Sequence, residues 1–204
     1  MRSMSGLITA FLFSVVTVYA ISFASLNVKL KPTVIAGMLW VALLFSAAAS
    51  LPRTFVAEEE QGTADLLRLV ARPHAVFWGK ALFNIFQSLV TSFVLSFLYL
   101  GFMSATVVIP WLFTVSLVAG CLSLAGAVTL CGAIASQASN RSMLAAAIAV
   151  PMLLPLVALG VSGMRVSLGE GGASGGTSSA IGLVGYAVAT LATGPYIYAA
   201  VWKS

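Results

Sequence analysis

The chain has 204 residues, 60% of them hydrophobic and 7% charged, with a formal net charge of +5 and a mean hydropathy of +1.07. No soluble domain could cover that much apolar surface, so the composition excludes a soluble enzyme and marks an integral membrane protein. No basic patch interleaved with aromatics points to nucleic acid. The excess of Lys and Arg reads instead as topogenic bias and attraction to anionic lipid headgroups.

An apolar helix needs about 20 residues to cross about 30 Å of hydrocarbon. Six windows meet that requirement, at 6–26, 33–52, 79–101, 107–135, 143–163 and 179–202. Their residues do not alternate in polarity, which excludes a β-barrel. The expected fold class is therefore an all-α integral membrane protein with six transmembrane helices in a single domain over 1–204. With the N-terminus cytoplasmic, Arg2, Arg53, Arg68, Arg72, Lys80, Arg141 and Lys203 lie inside and Lys29, Lys31 and Arg165 outside. That distribution places both termini in the cytoplasm.

Arg2 precedes the first apolar run, but the run exceeds the ~7–15 residues of a signal core, so it is read as a span and not as a cleaved leader. Span two follows Pro32, carries Trp40, and ends in the small-residue run Ser46-Ala47-Ala48-Ala49-Ser50, which lets another helix come close.

Between spans two and three, the cytoplasmic segment 53–78 holds four of the five acidic residues: Glu58, Glu59, Glu60 and Asp65. Gly62 is a breaker, Thr63 an N-cap, and Asp65 sits in the first turn, where a carboxylate meets the positive end of a helix dipole. Leu66, Leu67, Leu69 and Val70 share one side, Arg68 follows the acids, and Pro73 is expected to stop the helix. The expectation is a short surface helix over about 63–71, apolar toward the bilayer and polar toward a soluble partner.

Span three is preceded by His74, Trp78 and Lys80, an interfacial belt with a snorkelling cation. His74 is the single histidine and reads as solvated, since one ligand makes no metal or haem site. In span four, Ala119, Ser123, Ala127, Cys131 and Ala135 recur every four residues, a narrow stripe that suits either packing within the chain or a contact between subunits. Cys121 and Cys131 lie about 15 Å apart along one helix, too far to bridge. Span five carries Pro151 and Pro155 on one face, which fits a hinge or a static kink. The glycine-rich stretch 169–176 reads as a flexible outer connection, and Gly194-Pro195 as a break near the end of span six.

No charged residue lies deep in any span, which argues against an ion-driven carrier. Gly79-Lys80 is followed by Ala81, not the Ser or Thr of an ATP-binding loop, and no nucleophile triad, carboxylate pair or metal spacing is present. The chain is thus read as non-catalytic, binding no cofactor or metal directly, with its energy supplied by a partner through the 53–78 segment.

The run Gly37-Met38-Leu39-Trp40-Val41-Ala42-Leu43-Leu44, then Phe55, the Glu58 to Leu67 stretch and Lys80, resembles the CcmB family of permease subunits (haem exporter protein B) of the cytochrome c maturation system. Val150-Pro151-Met152-Leu153-Leu154-Pro155 and Pro195-Tyr196 are similar to the same family, so the resemblance runs from about 37 to 204. It implies an ABC-2-like permease in the bacterial inner membrane, paired with a CcmA-like ATPase that carries ATP and Mg, and working beside CcmC- and CcmD-like proteins to export haem or release a haem-loaded chaperone. It implies that Glu58, Glu59, Glu60, Gly62, Thr63, Asp65, Leu66, Leu67 and Arg68 form a coupling segment that docks on the ATPase, and that a second copy completes twelve spans. Such permeases begin with a basic interfacial helix, whereas Met1-Arg2-Ser3-Met4-Ser5 precede the apolar run here, which leaves a truncated start or an absent surface helix. Two other readings fit the residues: an ABC-2 exporter of a drug, lipid or polysaccharide, and a membrane scaffold that docks a soluble protein without transport.

Overall fold

The structure, a computed structural model, describes residues 12, 15–24, 30–48, 62, 67, 69–136 and 141–202, excepting the side chains of 141, 142, 146, 201 and 202. Among these residues there is no strand, and besides the helical residues Leu67, Leu69 and Val70 the helices are α1 (Val15–Ala24), α2 (Pro32–Ala48), α3 (Pro73–Met103), α4 (Pro110–Ala135), α5 (Arg141–Ser167) and α6 (Ala173–Trp202). The last four are long and apolar enough to cross a membrane, and α1 and α2 are shorter apolar helices. The chain is a multi-pass membrane protein.

Three helices begin at a proline, Pro32, Pro73 and Pro110. At a first helical position the missing N–H would have had no partner anyway, and the ring presets φ for the helix. Pro73 thus both follows the end of the preceding helical turn, with Arg72 extended ahead of it, and starts α3, so His74, Trp78 and Lys80 form its opening turns and the helix begins six residues before the apolar window. Its far end closes with Ser104 in the left-handed region (φ 49°) and a hydrogen bond from the Ala105 N–H to the Leu100 carbonyl at 3.2 Å, a six-residue closure of the last turn.

The glycine-rich stretch is also only partly a connection. Gly169 and Gly171, at φ 97° and 112°, make the turn, and α6 begins at Ala173. Gly175 and Gly176 are helical, the latter because Leu112 and Val166 leave no room for a side chain. The hydroxyls of Thr177 and Ser178 donate to the Ser174 carbonyl, and Ser179 donates to that of Gly175, so these polar side chains are satisfied within their own helix. Gly194-Pro195 likewise does not break α6, which continues to Trp202. Gly194 is where the ring of Phe77 from α3 meets the backbone.

The core is organised on α4, which packs against α2, α3, α5 and α6. Its apolar window is 83% buried, against 33%, 29% and 33% for α3, α5 and α6. Small residues explain this. Without a hydrophobic drive between helices in lipid, close backbone approach supplies the attraction, and Gly, Ala and Ser permit it. Trp40 of α2 fills the space between Gly120 of α4 and Gly160 of α5, while smaller side chains meet other glycines, Thr190 of α6 on Gly126 and Ser116 of α4 on Gly163. Trp40 is fully buried in a cluster with Leu39, Leu95, Tyr99, Leu124, Leu156 and Met164.

Candidate functional site

Three places bear on function: the segment between α2 and α3, the interior of the helix bundle, and the loop between α5 and α6. Of the coupling-segment residues, Glu58, Glu59, Glu60, Thr63, Asp65, Leu66 and Arg68 lie outside the described residues. Gly62 has φ 67°, a left-handed conformation that glycine adopts without strain. The Leu67 carbonyl accepts a hydrogen bond from the Ala71 N–H at 3.0 Å, a single helical turn just ahead of α3. Leu69 and Val70 project from this turn, 85% and 86% exposed.

In the interior, the stripe Ala119, Ser123, Ala127, Cys131 and Ala135 is buried within the chain, each residue at most 3% exposed. The Ser123 hydroxyl lies 2.8 Å from both the Ala119 carbonyl of its own helix and the Leu183 carbonyl of α6. Its one proton serves either acceptor, and the second contact ties α4 to α6. Cys131 lies 3.5 Å from the Met152 sulfur of α5, and both cysteines are free and buried. Helix α5 is continuous through Pro151 and Pro155. In the turn between them, the Met152 carbonyl accepts a 2.7 Å hydrogen bond from the Tyr186 hydroxyl of α6. The bond ties α5 to α6 beside the two prolines.

A polar seam that the composition of span three hides runs along the inward face of α3. Asn84, Gln87, Ser88, Thr91, Ser92 and Ser96 recur at three- and four-residue spacing, and that spacing was the available signal. The Asn84 amide donates to the Thr129 hydroxyl at 2.9 Å, and Thr129 passes its proton to the Ala125 carbonyl at 2.6 Å. The Cys121 sulfur is 2.9 Å from the Ser92 hydroxyl. Between this seam, α2 and α4 lies a cavity of about 20 Å³ lined in part by Leu43, Ser46, Gln87, Thr91, Cys121 and Leu124. Nearby, Trp40 Nε1, Ser96 Oγ, Tyr99 OH and Ser116 Oγ are buried with no hydrogen-bond partner among the described residues. The seam can hydrogen-bond neutral groups. Among the described residues no group of three His, Cys, Asp or Glu could hold a metal. His74 sits at the start of α3 with its ring edge-on to Tyr196, centroids 5.6 Å apart.

At the opposite end of the bundle, the Glu170 carboxylate accepts a hydrogen bond from the Thr33 N–H at 2.8 Å. An anion at the start of α2 satisfies an orphan donor and meets the positive end of the helix dipole. The Thr33 amide, and beyond it the charges of Arg165 and Lys31, hold the Glu170 carboxyl below the usual range for glutamate. A carboxyl whose folded pKa is lowered stabilises the fold above its unfolded pKa, and that contribution is lost as pH falls through the folded one. Glu170→Gln is therefore expected to lower the melting temperature of the purified protein at neutral pH. The gap between wild type and variant closes in acid, and melting curves across that range check it.

The family model described as "CcmB protein" matches residues 1–204, the whole chain. No curated protein matches the sequence.

Proposed function

The chain belongs to the CcmB family of ABC-transporter permeases for cytochrome c biogenesis, and from that premise we propose that it is the six-span membrane half of a transporter driven by a CcmA-like ATPase. The match over the full length carries this reading. In it, α1 and α2 complete two further spans, both termini face the cytoplasm of a bacterial inner membrane, and two copies supply twelve spans. Residues from Glu58 to Arg68 form the coupling segment. ATP-driven closure of the partner pushes this segment, and α2 and α3, which flank it in sequence, carry the movement into the membrane. The work done is haem export or release of the haem chaperone, alongside CcmC- and CcmD-like proteins.

Two features of the chain support the energy's entering from outside. The described buried residues include no charged side chain that could couple transport to an ion. Leu69 and Val70 offer an exposed apolar pair beside the coupling segment, of the kind a docking partner covers.

The test is direct. A strain lacking the chain is expected to lose holo-cytochrome c, and the tagged chain is expected to copurify with an ATPase from mild detergent and to stimulate it on reconstitution. Normal cytochrome c levels would turn the reading toward an ABC-2 exporter of other cargo. An ATPase that neither copurifies nor responds would leave a scaffold.

A further inference from the structure

Ser46, Gln87 and Thr91 all line the cavity between α2, α3 and α4, and among the described residues none of the three side chains makes a hydrogen bond. Ser46 and Thr91 are only 7% and 8% exposed. Thr91 stands well inside the 31-residue α3, so the site is at membrane depth. Serine and threonine inside a helix usually donate back to their own backbone, as Ser88 and Ser92 do here at 3.1 and 3.0 Å. Thr91 and Ser46 instead line the same cavity as Gln87. A polar group without a partner in hydrocarbon costs several kcal/mol, roughly the figure that confines irregular backbone to protein-lined cavities.

The cavity resolves that cost. A water molecule needs about 10–15 Å³ of such space and 2–4 polar partners. The cavity measures about 20 Å³ and offers three partners. We propose that it is a water site inside the membrane, with Ser46, Gln87 and Thr91 as its hydrogen-bonding partners. The water bridges α2 to α3, making their contact a wet one that exchanges partners more readily than interlocked side chains. This assignment stands on the cavity and its lining alone. Its use as a sliding seam between the two helices that flank the coupling segment rests on the permease reading above.

The two native cysteines provide an internally controlled test. Cys121 lines the cavity at 1% exposure, while Cys131 is at 0% and packed against Met152. Hydroxyl radicals generated by X-ray radiolysis of water oxidise the side chains nearest each bound water. In the full-length protein in lipid nanodiscs, Cys121 is expected to oxidise several-fold faster than Cys131. Thr91→Val, which keeps the side-chain shape, and Gln87→Leu are each expected to bring Cys121 down to the Cys131 rate. Equal, slow oxidation of both cysteines in the wild-type chain would overturn the proposal, as would a Cys121 rate that neither substitution changes. Those results would leave the family assignment and the ATPase test untouched.

Discussion

Gly160→Ala is expected to destabilise the purified protein by about 1–3 kcal/mol, the usual cost of forcing extra volume into a filled core. A methyl group at Gly160 would land within the indole of Trp40, and one at Gly120 would meet the same ring from the other side. The ring is fully buried and held by three helices at once, so it has nowhere to swing. Removing the wedge is also costly: Trp40→Ala empties the space between α4 and α5 and is expected to cost about 3–5 kcal/mol. The two effects are not additive. In a Trp40→Leu background, Gly160→Ala is expected to cost less than in the wild type, with a coupling of about 0.5–3 kcal/mol. Thermal melts of the four proteins in one detergent measure it. A Gly160→Ala penalty of the same size in both backgrounds would show that the indole is not what excludes the methyl group.

Gly62→Pro is expected to abolish ATPase coupling while leaving the melting temperature of the membrane domain near that of the wild type. Gly62 has φ 67°, and proline is confined near −65°, so the chain cannot enter the coupling segment along its native path. The space around Gly62 is open, so the effect comes from the backbone and not from a clash. Leu66→Asp places a charge on the apolar side expected to rest against lipid or partner, and should produce the same loss. Stimulation of a copurified ATPase in reconstituted membranes, read beside the melt, separates lost coupling from lost folding. Full stimulation in both variants would remove this segment from the mechanism.

The family was legible in the Trp40 to Lys80 block and the proline-containing sequences of the last two spans, and the match to residues 1–204 agrees with it. Membrane residence was legible as well, because an apolar run decides it locally. Helix starts were less so: Pro73 does follow the end of the preceding turn but also opens α3, and the 169–176 stretch read as a connection yet holds the start of α6, since a proline at a first helical position removes no hydrogen bond that the helix needs. The polar seam of α3 was missed because its hydroxyl and amide groups are spread thinly through a run whose average is strongly apolar.

The chain's composition by itself determined that it lives in a bilayer as helices and that its acids gather between α2 and α3. Both follow from transfer of side chains out of water, which depends on each segment alone. Only the tertiary structure decided that Trp40 sits between Gly120 and Gly160, that Glu170 caps a helix 137 positions earlier, and that Ser46, Gln87 and Thr91 share one cavity. These pairings depend on how each helix is rotated about its axis and which helix lies beside it. In lipid, where every apolar face is equally comfortable, that is settled by the fit of small residues against large ones and by the few hydrogen bonds between helices.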